Sequence, residues 1–162
     1  MTFGIRSYRE EDRNAVEELL ALAFPTPTES DLVGELRQAG DAVIELVATI
    51  DGRVCGHVML SRLNAPMHAL ALAPVSVHPA HQGKRIGDRL VHQAIDEARG
   101  LGVQLLLALG EPEYHGRFGF SQADASGYDC VYAAHTLLAL RLDPDCPREG
   151  RIIYAAPFNA LG

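Results

Sequence analysis

The 162-residue chain has the length of one domain, and its 48% hydrophobic and 22% charged residues are the proportions of a globular protein, which excludes disorder over most of its length. A chain of this size buries about two-thirds of its unfolded surface, so neither a disulfide nor a metal is needed for folding. The formal net charge of −7 argues against general nucleic-acid binding, which needs a basic face, and is compatible with a cationic partner such as an amine.

Residues 3–8 alternate and predict a short strand. Glu10, Glu11 and Asp12 open a helix with Ala15, Val16, Leu19, Leu20 and Ala23 on its apolar face, and Pro25 and Pro27 stop it. Thr28 is placed to cap a second helix, with Leu32, Val33 and Leu36 on one face and Gly40 at its end. Asp51-Gly52 between the apolar runs 43–50 and 53–62 signals a hairpin, and a third strand-like run, 68–77, ends at Pro79. The first half therefore reads as a strand, two helices and three strands that pair as an antiparallel meander.

Residues 85–101 then place Ile86, Leu90, Val91, Ala94, Ile95, Ala98 and Leu101 on one helical face, closed by Gly100 and Gly102. The nearly unbroken apolar run 103–109 suits a strand covered on both faces. Together with run 68–77 and the helix between them it predicts a right-handed βαβ unit. A helical turn near 113–117 and closing strands over 128–142 and 151–154 complete one domain over 1–162. The expected class is α+β: a mixed, mostly antiparallel sheet with one splayed parallel strand pair and flanking helices.

Cys55, Cys130 and Cys146 are odd in number and show no metal or redox spacing, so they are expected to be thiols of a reducing compartment. No leading apolar run reads as a signal peptide and no stretch is long enough to span a bilayer, which makes the cytoplasm the expected location. Lys84, the only lysine, stands beside Arg85 and one turn before Arg89. Such a cationic cluster in an acidic chain suits either a phosphorylated ligand or a solvated helix start.

The informative stretch runs from Pro74 through Val75-Ser76-Val77-His78-Pro79 to Gln82-Gly83-Lys84-Arg85-Ile86-Gly87. It sets a glycine-containing turn between a strand and a helix. The first amides of a helix lack internal acceptors and carry the positive end of its dipole, so a pyrophosphate can sit there. Glycine lets the backbone approach it closely. A P-loop and a dinucleotide G-x-G-x-x-G pattern are both absent.

Gln82-Gly83-Lys84-Arg85-Ile86-Gly87 resembles the [RQ]-x-x-G-x-[GA] signature of the GNAT superfamily of acyl-CoA N-acyltransferases, and Tyr114-His115-Gly116-Arg117-Phe118-Gly119-Phe120 resembles that family's aromatic–x–x–x–Gly–Phe segment. Leu109-Gly110-Glu111-Pro112-Glu113-Tyr114, Ala23-Phe24 with Leu32-Val33, and Ile153-Tyr154-Ala155-Ala156-Pro157-Phe158 extend the likeness to a group of small bacterial N-acetyltransferases, over nearly the whole chain. The resemblance implies a GNAT-like fold, acetyl-CoA as co-substrate and an amine acceptor, while charge and apolar patterning leave neither nucleic acid nor membrane as partner; many relatives pair as homodimers through their last strands, which the apolar run 132–142 permits, though it equally fits a buried strand.

The resemblance further implies that pantetheine pairs with the backbone of Val75 and Val77, and that strand-end amides polarise the thioester carbonyl. Ser76 stands between those two valines. The turn from Gln82 through Gly83, Lys84, Arg85, Ile86 and Gly87 to Asp88 would hold the pyrophosphate, with Gly110 and Phe118 also beside the cofactor. Phe24 is a candidate for the acceptor pocket, and equally for the core. The implied chemistry is direct attack of the amine without an acyl-enzyme.

Two departures stand out. Arg85 occupies a position where the family carries glycine. Its Cβ could crowd the pyrophosphate, or in helical φ/ψ its side chain could swing outward, to a CoA phosphate or to solvent. His115 occupies the position of the tyrosine that many relatives use to protonate the leaving thiolate, with Tyr114 immediately before it. His115 is the candidate acid and Tyr114 the alternate. The base is not singled out: Glu45, Glu111, His57 and His78 fit by position, each also fits a scaffold role, and a water chain would suffice. His78 and His81 flank Pro79 in a turn, which argues against a metal pair, and no cysteine has an activating setting. Two other functions share these features: an acyl-CoA sensor with the same fold and no transferase activity, and a partner domain that has lost CoA binding.

Overall fold

The computed structural model describes residues 1–133 and 136–161. In chain order the elements are β1 (Phe3–Ser7), a 3-10 turn (Glu10–Asp12), α1 (Arg13–Ala23), α2 (Thr28–Gln38), β2 (Ala42–Ile50), β3 (Arg53–Asn64), β4 (Ala69–Val77), a 3-10 turn (Pro79–His81) and α3 (Ile86–Gly100). There follow β5 (Leu105–Leu109), α4 (Pro112–Gly116), α5 (Gln122–Ala125), β6 (Tyr128–Asp129), β7 (Leu137–Arg141), β8 (Gly150–Arg151), β9 (Ile153–Tyr154) and a final 3-10 segment (Ala156–Leu161).

The main sheet has the order β1-β2-β3-β4-β5-β7. Its pairs are antiparallel except β4 with β5, which run parallel through Ala69↔Leu105, Leu70↔Leu106 and Ala71↔Leu107. Beyond Ala71, β4 stays paired with β3 as far as Val77, while β5 turns to β7 alone. The expected splay therefore opens at Leu72.

The sheet has a core on each face. Val16, Leu20, Leu32, Leu36, Val47, Met59, Ala71 and Leu107 pack on the face of α1 and α2; Leu46, Val58, Leu70, Leu90, Val91 and Leu106 pack on the face of α3. β5 contributes to both cores, which accounts for its unbroken apolar run. The helical spacing read in α3 buries Ile86, Leu90, Val91, Ala94, Ile95 and Ala98. Leu101 departs from that reading: it is the C-cap, past the last full turn, and is exposed.

Two further expectations are corrected. Thr28 is the first residue of α2, not its cap; Pro27 holds the N-cap position, and its fixed φ enters the helix without a side-chain cap. The strand expected over 128–142 is broken. Tyr128–Asp129 pairs in parallel with Gly150–Arg151 in a separate two-stranded sheet, the chain turns after Cys130, and only Leu137–Arg141 joins the main sheet. Residues 134 and 135 of that expected strand lie outside the described residues. β9 pairs with the end of β3, through Leu63↔Tyr154 and Asn64↔Ile153. The outer edge of β7 is engaged at Ala139, which exchanges backbone hydrogen bonds of 2.9 and 3.0 Å with Ser121.

Cys55, Cys130 and Cys146 are buried free thiols. Among the described residues no helix is long and apolar enough to cross a membrane, and no cluster of three or more His, Cys, Asp or Glu side chains could hold a metal.

Candidate active site

The chain leaves β4 at Val77 and is tied down at once. His78 N–H donates to the Cys55 carbonyl at 2.8 Å, and Ala80 N–H donates to His78 Nδ1 at 3.0 Å. Gln82 Nε2 reaches back to the Val77 carbonyl at 3.3 Å. Gly83 (φ 81°) and Arg85 (φ 62°) then take left-handed backbone on either side of Lys84, and α3 starts at Ile86. Its first helical bond runs from Arg89 N–H to the Arg85 carbonyl, so the amides of Ile86, Gly87 and Asp88 have no carbonyl one turn back. Arg85 is not in helical φ/ψ as expected. It holds the left-handed conformation that glycine adopts most easily, and its side chain is exposed.

These elements wall a groove of about 420 Å³ lined by Val75, Ser76, Val77, His81, Gln82, Gly83, Arg85, Ile86, Gly87, Asp88, Tyr114 and Arg117. It contains the unpaired edge of β4 and the free amides of α3 together. At Gly87 a Cβ would stand 3.5 Å from Val77 Cγ2 and 3.6 Å from Tyr114 Oη, which fixes how closely helix, strand and phenol converge. A larger cleft of about 980 Å³ lies beyond His81, between α1 and the β2–β3 turn; it holds neither that strand edge nor those amides, and the smaller groove is the candidate site.

Tyr114 and His115 diverge on α4. Burial raises the Tyr114 pKa, Asp88 adds to the effect and Arg117 opposes it, so the phenol keeps its proton at neutral pH. The His115 ring lies beside Gly110, whose added Cβ would be 3.1 Å from Cε1, and His115 Nδ1 is 2.9 Å from the Glu111 carbonyl oxygen. A carbonyl only accepts, so Nδ1 carries the hydrogen and Nε2 is the free nitrogen.

The four candidate bases separate as well. Glu111 is exposed and His78 serves its own turn. His57 is buried and Glu45 half-buried beside it, with His57 Nε2 2.7 Å from Glu45 Oε2 and Arg37 Nε donating to Glu45 Oε1 at 2.9 Å. Burial works to raise the Glu45 pKa, but hydrogen bonds from His57 and Arg37 outweigh it and hold the carboxyl below its ordinary range. The Arg37 guanidinium stacks 3.9 Å from the Tyr8 ring centroid.

Residues 13–120 match the model of the Acetyltransferase (GNAT) family. The chain belongs to the GNAT family. Its class of chemistry is therefore acyl transfer from an acyl-CoA. Among curated relatives it is 32% identical over 130 residues to the uncharacterized N-acetyltransferase YjhQ of Escherichia coli K12, covering 75% of this chain and 71% of that one. It is 31% identical over 116 residues to the uncharacterized N-acetyltransferase YhbS of the same strain, covering 69% and 70%. The crystal structure of E. coli YhbS in complex with CoA superposes with a TM-score of 0.92 at 28% identity, over 99% of this chain and 93% of that one. A GNAT acetyltransferase from Brucella melitensis in complex with acetyl-CoA gives 0.83 at 31% identity, over 97% and 98%.

Within this GNAT chain most residues singled out from sequence line one groove. Lys84 is exposed outside it, His115 is not among its walls, Gly110 follows β5, and Phe118 is buried beneath Tyr114 with ring centroids 5.4 Å apart. Phe24 caps α1 in extended backbone, half-buried against the core of the α1 and α2 face. Arg117 escaped sequence reading. Its guanidinium grips Asp88 with two bonds of 3.1 and 3.0 Å and lies 4.7 Å from the Tyr114 ring centroid, a contact across 29 residues that no local spacing signals.

Proposed function

We propose that this chain transfers an acetyl group from acetyl-CoA to a primary amine, by direct attack while both are bound. The observation that carries it is the unpaired edge of β4 beside the free amides of α3 in one groove. Acetyl-CoA brings a thioester carbonyl open to attack and a thiolate as leaving group. The groove fits it: the turn amides and the α3 dipole suit a diphosphate, Gly87 and Gly83 keep Cβ atoms out of the way, and Val75 and Val77 offer backbone to an extended pantetheine arm. The CoA and acetyl-CoA bound to the E. coli and Brucella neighbours support the same choice.

Tyr114 reaches the groove as a protonated phenol and is placed to donate to the thiolate. His115 serves instead only as an imidazolium, with the proton on Nε2. Lys84, Arg85 and Arg117 supply cations near the phosphates, Gly110 and Phe118 shape the wall behind Tyr114 and His115, and Phe24 borders the acceptor. Titration with CoA in a calorimeter and thiol release across an amine panel test the reading, with Y114F and H115A measured singly. Binding with no turnover on any amine would favour the acyl-CoA sensor, which the arginine at position 85 and histidine at 115 also allow. Absence of binding would defeat both. Residence in the cytoplasm and self-association belong to the same reading; light scattering tests the latter, and a particle of only the 17.5 kDa chain mass overturns it.

A further inference from the structure

Tyr114 reaches the groove from a segment that side chains tie to the rest of the molecule. Among the described residues the backbone bonds of 112–118 close locally: His115 N–H donates to the Glu111 carbonyl at 3.1 Å, Arg117 N–H to that of Tyr114 at 3.3 Å and Phe118 N–H to that of His115 at 3.0 Å. α4 itself has five residues, too few to be a stable helix alone. The position of the phenol therefore depends on what its neighbours grip.

Arg117 makes the grip. Its guanidinium forks the Asp88 carboxylate, Nη1 to Oδ2 at 3.1 Å and Nη2 to Oδ1 at 3.0 Å. The same group lies 4.7 Å from the Tyr114 ring centroid and 5.6 Å from that of Phe118, whose ring meets Tyr114 edge-on. Tyr114 Oη stands beside Gly87, where an added Cβ would be 3.6 Å away, and Asp88 is the next residue of α3. The fork is thus anchored on the turn of helix that faces the phenol, and Asp88, Tyr114 and Arg117 all line the groove. With the Arg117 side chain 50% exposed and that of Asp88 20%, the ion pair adds little to the stability of the fold. A planar two-bond fork does, however, fix where the guanidinium sits, which a single point charge does not.

We propose that Arg117 is a positioning residue: anchored on Asp88, it holds the Tyr114 phenol at the groove and steadies the phenolate left when that phenol protonates the departing thiolate. The proposal rests on the transferase reading above. As the amine nitrogen bonds to the thioester carbon, the C–S bond breaks and its electron pair leaves on sulfur. Sulfur takes the Tyr114 proton, the amine gives its own to water, and the phenolate recovers a proton from solvent. Negative charge then gathers on a ring already beside the guanidinium, an attraction stronger in the transition state than before it. Burial and the Asp88 carboxylate raise the phenol pKa and Arg117 lowers it, so Asp88 sets the place of the cation while opposing its effect.

A double-mutant cycle on the full chain tests this, using Y114F, R117Q and the double variant. Thiol release at saturating acetyl-CoA gives kcat, and calorimetry gives CoA affinity and Tm. Y114F is expected to lose roughly 100-fold in kcat, the effect of removing a positioned acid. R117Q should lose roughly 10-fold, a partial misplacement of that acid, with a Tm within about 2 °C of wild type. In the Y114F background R117Q should slow the reaction no further, because its effect passes through the missing hydroxyl. R117K keeps the charge without the fork and should recover part of the rate. D88N should lower kcat while it tightens CoA binding, a split that a role confined to holding the cofactor does not give. Wild-type kcat in R117Q or in D88N overturns the proposal. An equal loss from R117Q with and without the Tyr114 hydroxyl also overturns it and assigns Arg117 to the phosphates; where R117Q fails to fold, R117K and D88N decide. Y114F at the wild-type rate removes the acid and the proposal but leaves the transferase, whereas wild type that binds CoA and turns over no amine removes the transferase reading as well.

Discussion

Replacing Arg85 with glycine separates the backbone demand at the start of α3 from the charge it carries. Arg85 sits at φ 62° and ψ 22°, and left-handed helical backbone costs a residue with a Cβ about 1–2 kcal/mol. Glycine escapes that cost but loses more chain entropy on folding, about 0.5–1 kcal/mol. The side chain is exposed and makes no hydrogen bond or ion pair among the described residues, so nothing else is lost. R85G should therefore gain about 0.5–1 kcal/mol, a rise of roughly 1–4 °C in Tm for a chain of this size. R85A keeps the Cβ and the conformational cost, and should melt with wild type. Scanning calorimetry of the three proteins without ligand checks this. Both variants should also lose CoA affinity equally at low salt, and the loss should shrink as salt screens the phosphates. A Tm for R85G at or below that of R85A would refute the reasoning.

Other perturbations probe the surroundings of the groove. At Gly56 an added Cβ would lie 2.8 Å from Leu90 Cδ1, 3.2 Å from Ile86 Cγ2 and 3.3 Å from Ala48 Cβ, so G56A should cost about 1–3 kcal/mol and lower the urea midpoint. Asp88 sets a carboxylate in the first turn of α3 and occupies Arg117; D88N should tighten CoA binding about two- to fivefold in calorimetry, the equivalent of ~0.3–1 kcal/mol. Two carboxylates are held below their ordinary range: Asp12 chiefly by its hydrogen bonds from Arg6, and Glu45 against burial by His57 and Arg37. A lowered folded pKa gives stability that is complete above the unfolded value near 4 and drains as pH falls through the folded value, so Tm should hold above about pH 5 and fall steeply below 4. E45Q should flatten part of that fall, and a level curve down to pH 3 would contradict it.

What sequence could and could not show follows from what each signal measures. Periodicity reports burial, and where burial and backbone pairing coincide, as in α1, α3 and the β2–β3 hairpin, the elements were legible. Over 128–142 they part company. Tyr128, Cys130 and Tyr132 are buried in the core of the α1 and α2 face, and the Tyr128 hydroxyl donates to the Pro147 carbonyl, but the backbone between Cys130 and Ala133 turns rather than pairs. The turn between β4 and α3, proposed above to hold a diphosphate, was legible because its residues are contiguous. The left-handed backbone of Arg85 was not, since an arginine gives no sign of it. Nor was the alignment of Ser76, His57 and Glu45, which depends on register: a slip of one residue in β3 would send His57 to the α3 face.

The groove exists because β4 stops being an interior strand partway along its length, and Pro74 is the residue that permits this. Proline has no N–H to give a ladder and is confined in sheets to edges, first positions and bulges. Here it falls after Ala71, the last residue of β4 paired with β5, and before Val75, where register with β3 is again regular. From that point one short segment serves three surroundings. Val75 and Val77 pack toward the α3 core, Ser76 points to the opposite face against His57, and the backbone edge between them faces the gap left by β5. Had β5 followed β4 to Val77, that edge would be consumed by a ladder. An apolar run broken late by a single proline thus marks where a buried strand becomes an edge, and in this chain that edge, at Val75, Ser76 and Val77, walls the candidate groove.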